Sequence, residues 1–306
     1  MNGAVAALEW VGARARWTLA LGFVLALAAP ALSEMMRPAL SALVATVYAL
    51  GMVRLDLGAA LARLRRPRPA AVLAGEAAAL LILPTLAAWA VAGALGAGPD
   101  WTAAAVWTFA APPIASAAGL CFLMGWDAAR ALRVTVAASL LMPALGPALG
   151  AALLGAETPL DPWTLAGRTA AMIGAGAAGA LAMQRWLGRA RIERNGRAFD
   201  GLTAIVMVLF LFPIFDGVPA LIQARPGLAA GFLALSCALI FAPHALRPLL
   251  PGDRPAQGAA ALLWGTRSVG IWAAALPPDP VLLLYFALYQ LPMFAQPLIL
   301  GALTRR

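Results

Sequence analysis

Residues 262 to 276 read LLWGTRSVGIWAAAL, an apolar run with Arg267 at its centre, Thr266 and Ser268 on either side, and Gly265 and Gly270 outside those. An arginine in the middle of an apolar helix costs about 2.5 to 3.5 kcal/mol on insertion scales, so the charge has to do something there. A guanidinium matches a carboxylate or sulfate in a two-pronged fork. The two glycines weaken the helix around it. A second interruption, APPIASAAG (111 to 119), carries Pro112 and Pro113, which remove backbone donors and discourage helix through the preceding residue. A broken apolar helix exposes amides and carbonyls, tolerated at membrane depth only against protein or a water-filled cavity. Both interruptions should therefore face inward, toward each other. The second half of each helix begins there, and its free N–H groups carry partial positive charge suited to an anion.

The elements that hold these segments are spans of a bilayer. Of 306 residues 63% are hydrophobic and 11% charged, against about 25% charged in soluble proteins. A span needs roughly 20 apolar residues. Ten runs qualify: 17 to 34, 38 to 55, 70 to 95, 101 to 124, 128 to 154, 163 to 187, 201 to 222, 227 to 246, 256 to 275 and 280 to 302. The fold class is thus all-α integral membrane. Residues 1 to 30 also share features with a signal peptide, with Arg14 and Arg16 ahead of an apolar run, but cleavage would leave an odd set of spans.

A net charge of +9 would point to nucleic acid in a soluble protein; here its distribution argues against that. Every basic residue is arginine, and 18 of the 22 fall at alternate ends of the spans. The opposite ends hold only Arg37, Arg168 and Arg225, together with Glu34, Asp100, Glu157, Asp161, Asp216 and Asp279, so the positive-inside rule puts both termini in the cytoplasm of a cell whose inner membrane holds the chain. Tracts such as RLRRPRP (63 to 69) read first as topology signals and second as sites for anionic lipid. Cys121 and Cys237 lie inside spans without a CxxC pair, and His244 is the one histidine, so no metal or cofactor is expected. No HExxH, paired metal-binding aspartates or serine–histidine arrangement speaks for an enzyme.

The acidic connection GAETPLDPW (155 to 163) divides the runs into five plus five, residues 1–156 and 157–306. An odd number of spans per half inserts the halves in opposite orientation, an inverted repeat. The two interruptions then fall in spans 4 and 9, the fourth of each half, which is where such repeats place a transporter's binding site.

Three stretches resemble the bile acid/sodium symporter family, within the group of bile, arsenite and riboflavin transporters. They are YALGMVRLDLGAALARLRRPR (48 to 68), PPIASAAGLCFLMGWDAARALRVTVAASLLMPALGP (112 to 147) and GTRSVGIWAAAL (265 to 276). The resemblance implies a panel of spans 1, 2, 6 and 7 beside a core of spans 3, 4, 5, 8, 9 and 10, with the broken helices crossing in the core. Substrate would bind between panel and core. It also implies a set of sodium ligands, and here the chain departs from it: Ser116 and Thr135 keep hydroxyls, while Ala117, Ala131, Leu263 and Arg267, with Ala79 in span three, stand at the other ligand positions. A hard cation needs several oxygens, and a guanidinium at its site repels it.

The expectation is a secondary transporter of a small organic anion working by alternating access without the family's sodium coupling. The alternatives are a sodium- or proton-coupled symporter of the same class, or a channel or substrate-binding sensor. Arg267 either meets the substrate directly or pairs with Glu76, the one acid well inside a span; Glu76 is alternatively a proton carrier. Further pocket candidates implied by the resemblance are Ser268, Tyr289 and Gln290, together with adjacent Thr266 and with Ile114 in place of a threonine.

Overall fold

The computed structural model describes residues 3–54, 67–155 and 160–304. Arg63, Arg65, Arg66, Glu157, Arg305 and Arg306, and most of the loop after the second run, lie outside the described residues. In chain order the helices are α1 (Gly3–Ala13), α2 (Ala15–Ala28), α3 (Pro30–Met36), α4 (Leu40–Met52), α5 (Pro67–Ala94), α6 (Pro99–Ala110), α7 (Ala117–Leu123) and α8 (Ala128–Leu154). There follow α9 (Pro162–Leu187), α10 (Arg189–Arg194), α11 (Gly196–Ile214), α12 (Val218–Ala224), α13 (Pro226–Ala245), α14 (Arg254–Gly265), α15 (Gly270–Ala275) and α16 (Pro280–Thr304). Among the described residues seven stretches are long and apolar enough to cross a membrane, and the pair α1 and α2, bent by 82°, would make an eighth. The chain is an all-helical protein of the membrane-embedded kind.

Proline marks many of the helix starts. Pro30, Pro99, Pro162 and Pro226 each sit in a first turn, where a missing N–H costs nothing. Asp127, Asp161 and Asp253 accept amide hydrogen bonds as N-caps of α8, α9 and α14. The runs 101 to 124 and 256 to 275 are each divided, into α6 with α7 and α14 with α15. The run 17 to 34 is divided as well, at Ala29, because Pro30 begins a new helix there. That new helix passes through a 3-10 turn at Arg37–Ala39 straight into α4, so no loop separates the first two runs.

The helices pack in two neighbourhoods. In one, α11 lies against α1, α2 and α4, and α4 against α9. In the other, α5 packs on α6 and α8, and α13 on α14 and α16. Helices α1 and α11 touch backbone to backbone: a Cβ at Gly201 would lie 1.9 Å from the Leu8 carbonyl oxygen, and one at Gly12 2.2 Å from that of Arg197. Within the second neighbourhood Trp107 of α6 and Trp272 of α15 pack with ring centres 4.5 Å apart and planes tilted by 55°. Gly150 and Gly146, one turn apart on α8, make the groove that takes them; a Cβ there would meet Trp107 at 2.2 Å and Trp272 at 2.9 Å. This fit ties the first half of one broken helix to the second half of the other.

Candidate functional site

The two interruptions meet. Pro113 and Arg267 face each other in an isolated antiparallel bridge, flanked by Ile114 N–H donating to the Thr266 carbonyl (3.2 Å) and Ser268 N–H donating to that of Pro112 (2.8 Å). In an antiparallel pair the residues between two such bonds contribute no ladder donors of their own. Pro113, which has no N–H, occupies that position, so its missing donor is not missed. Arg267 occupies it from the other side, and its free N–H donates to the Tyr289 hydroxyl at 3.0 Å. That hydroxyl in turn donates to the Gly265 carbonyl at 2.9 Å.

The Arg267 side chain is fully buried and its guanidinium is spread over three helices. Nε donates to the Trp264 carbonyl (3.1 Å), Nη1 to Ala111 (3.1 Å) and Nη2 to Leu80 (2.9 Å). Each acceptor has lost its helical donor for a reason legible in the chain. Four residues after Leu80 stands Pro84, which has no N–H. Four after Trp264 stands Ser268, whose N–H goes to Pro112. Ala111 lies in extended backbone past the end of α6. One rigid fork of five donors thus satisfies the carbonyls that three helix defects leave over, each of which would cost about 1 to 3 kcal/mol if buried alone. The Phe109 ring lies 5.5 Å from the guanidinium carbon. Among the described residues no carboxylate pairs with it.

One expectation is corrected by this geometry. Glu76 is not the partner of Arg267: it pairs with Arg130 at the start of α8, Arg130 Nε donating to Oε1 at 2.7 Å. Glu76 lies in the third turn of α5, close to the arginine-rich end, whereas Leu80 one turn further in already meets the guanidinium. Glu76 has a cation on it and its side chain is about a third exposed. Three of the Arg267 donors are committed to carbonyls and its side chain is fully buried, so its charge would act on a ligand from within the wall.

The two glycines stand at the edges of the break in span 9. Gly265 is the last residue of α14 and Gly270 the first of α15, and neither has positive φ. They are needed for approach: a Cβ at Gly265 would lie 2.5 Å from the Ile240 carbonyl oxygen, and one at Gly270 2.3 Å from the Phe210 ring.

Below the crossing lies a cavity of about 410 Å³. One wall comes from α4 and α11, with Val44, Tyr48, Thr203 and Phe210; the other comes from the crossing and α16, with Ser116, Ser268 and Gln290. It reaches to Gly12, Leu123 and Asp200, at the end of the helices where the arginines gather. Of the sequence candidates Ile114, Ser116, Arg267, Ser268 and Gln290 border it. Thr266 and Tyr289 do not; both are buried and spent on structure, Thr266 donating to Gln296 Oε1 at 2.8 Å. Thr135 lies away from it too, its buried hydroxyl unpartnered on α8. Ala117, Ala131 and Leu263, three of the positions where the resemblance expects sodium ligands, gather with Leu80 and Cys121 in one small apolar cluster.

Sequence reasoning missed Tyr48. Its hydroxyl is buried at the cavity wall and interacts with the Ser268 side chain, while Gln290 Oε1 across from it is buried without a hydrogen-bond partner. Tyrosine beside a glycine–methionine turn carries no such signal; only the packing of α4 against the crossing turns it inward. Also missed was a polar chain leading away from the crossing, in which Gln296 Nε2 donates to His244 Nε2 at 2.8 Å while its Oε1 accepts from Thr266. Arg168, one of the arginines at the acidic end, donates to the Ala275 carbonyl and so caps the last turn of α15.

Taken together, the arrangement offers a positive charge, paired with no carboxylate among the described residues, at the crossing, next to a mainly apolar chamber with a few polar side chains. Such a chamber suits an anion with an apolar body. No protein-family model and no curated protein matches the chain.

Proposed function

We propose that the chain is a secondary transporter of a small organic anion that works by alternating access and does not use sodium. The observation that carries this reading is the buried Arg267 charge, unpaired by any carboxylate among the described residues, at the wall of a cavity that leads to one end of the helices. An uncompensated charge in a low-dielectric setting attracts an opposite one strongly, and an anion entering the cavity supplies it. The apolar cluster of Ala117, Ala131 and Leu263 supports sodium independence, because a sodium ion there would find no oxygen shell.

The architecture behind this reading is ten spans in two inverted repeats, 1–156 and 157–306, forming a panel and a core. Matched packing supports it. Exchanging the halves converts the contact of α4 with α9 into that of α11 with α2, the contact of α5 with α8 into that of α13 with α16, and the contact of α6 with α16 into that of α14 with α8; all six pairs are packed. In this reading the arginine-rich end is cytoplasmic and the cavity faces inward. A proton-coupled variant is favoured by one observation, the chain from Thr266 through Gln296 to His244, which links the crossing to the histidine.

Counterflow in liposomes tests the proposal. Vesicles loaded with a panel of unlabelled carboxylates and sulfonates should take up the labelled form of one of them saturably, and equally well in sodium and choline buffers. A strict sodium requirement would overturn the sodium-free reading. Flux without saturation would mean a channel, and binding without flux a sensor; either would sink the transporter.

A further inference from the structure

A second cavity, of about 590 Å³, lies at the arginine-rich end between α1, the end of α9, α10 and the start of α11. Its lining divides sharply by chemistry. Val5, Leu8, Leu187, Phe199 and Leu202 supply an apolar wall, and Arg191, Arg194 and Asn195 supply the polar part. The two arginines are three residues apart on α10, hence neighbours on one face, and both are exposed. Glu193, the acid between them, turns instead to Arg189. Among the described residues neither Arg191 nor Arg194 pairs with a carboxylate. The Asn195 amide is tied to the Arg191 carbonyl at 3.0 Å, which leaves the guanidinium groups as the free donors.

We propose that this cavity binds one anionic phospholipid from the surrounding bilayer, its phosphate between Arg191 and Arg194 and the upper part of an acyl chain along Leu8, Phe199 and Leu202. Charge complementarity selects the headgroup: paired guanidinium forks suit a phosphate, and no acid competes for them. The apolar wall selects a lipid over a free anion, which would leave that surface wet. Exposed Trp10 and Trp186 lie on the same helices as the cavity, Trp10 with the Arg14 guanidinium stacked on it, and exposed tryptophans of this kind sit at headgroup level. Occupancy has a consequence for the first cavity as well. Helices α1 and α11 border both, through Leu8 and Phe199 on one side and Gly12 and Thr203 on the other, so a bound lipid braces the wall of the substrate chamber.

Native mass spectrometry of the purified full chain, given equal amounts of dioleoyl phosphatidylglycerol and dioleoyl phosphatidylcholine, provides the test. The wild type should retain the anionic lipid at least about tenfold better, and R191Q/R194Q should bring the ratio close to one. The variant R133Q/R247Q, which removes the same charge from the same end outside the cavity, should leave the preference intact. Leu8→Trp, which fills the apolar wall without touching charge, should lower retention of the anionic lipid and stands in if the double arginine variant fails to fold. A wild-type ratio near one, equal loss in R133Q/R247Q, or displacement of the lipid by millimolar inorganic phosphate would each overturn the proposal.

Discussion

A single side chain, Arg267, closes the accounts of three helices, and the bond from its Nη2 to the Leu80 carbonyl exists because Pro84 cannot make one. That dependence is measurable. Arg267→Gln reaches at most one of the three carbonyls and should lower stability by about 2 kcal/mol or more in a denaturant titration in micelles, within the range for buried polar groups left unpaired. Pro84→Ala returns a donor to Leu80, so the double variant should lose about 1 kcal/mol less than the sum of the singles; strict additivity would mean that Pro84 and the guanidinium do not share that carbonyl. Sequence alone located Arg267 as a charge demanding a reason, since arginine in an apolar run is costly wherever it falls. Its partners were hidden because carbonyls carry no residue identity, and a search among side chains led to Glu76. The same limit explains Tyr48, whose inward turn depends on a helix several spans distant in sequence.

At the scale of elements, proline was the informative residue. Pro112 and Pro113 announce the first break from local chemistry, because nothing in a tertiary fold can restore an N–H that the ring has removed. Pro30 divides the first run by the same rule, and a reading based on apolar length alone passes over it. Glycine is less legible: it permits either a turn or a close approach, and at Gly265 and Gly270 only the neighbouring Ile240 and Phe210 reveal which. The contact of α1 with α11 gives the sharpest contrast. Gly201→Ala should push the two helices apart, because the obstacle is the Leu8 carbonyl and not a movable side chain, at a cost of about 1 to 3 kcal/mol typical of overpacking. Gly174→Ala on α9, where a Cβ meets nothing within 4 Å, should instead be neutral or stabilise by about 0.5 to 1 kcal/mol through the lower backbone entropy of alanine. Thermal unfolding of the two variants side by side decides it; equal behaviour would show that the helices are not in backbone contact.

For the whole molecule, the cavity that reaches Gly12 and Asp200 has an open direction, and accessibility can read it. In a background with Cys121 and Cys237 replaced by alanine, a cysteine at Thr203 should react with a membrane-impermeant maleimide from the arginine-rich side, and reaction should slow when transported anion is present. Reaction from the opposite side alone would reverse the orientation read from the arginines. Apolar runs were plain from composition, because a bilayer imposes length and polarity on every span; how they divide into helices was not, since α1 precedes the first run and the first two runs join without a loop. Which faces enclose a chamber was not, since nearly every face of these helices is apolar and periodicity has nothing to distinguish.

The crossing has one further effect, electrical in kind. A guanidinium fastened to backbone travels with whatever body carries the crossing, so any rearrangement that shifts that body across the lipid moves charge through the membrane field, worth about 2.3 kcal/mol per elementary charge per 100 mV when the full drop is traversed. Loaded with a monovalent anion the moving part is neutral, and voltage does little to it. Empty, it is a cation that a negative interior draws inward, so in the proposed transporter the membrane potential would aid the return step after release outside and oppose it after release inside.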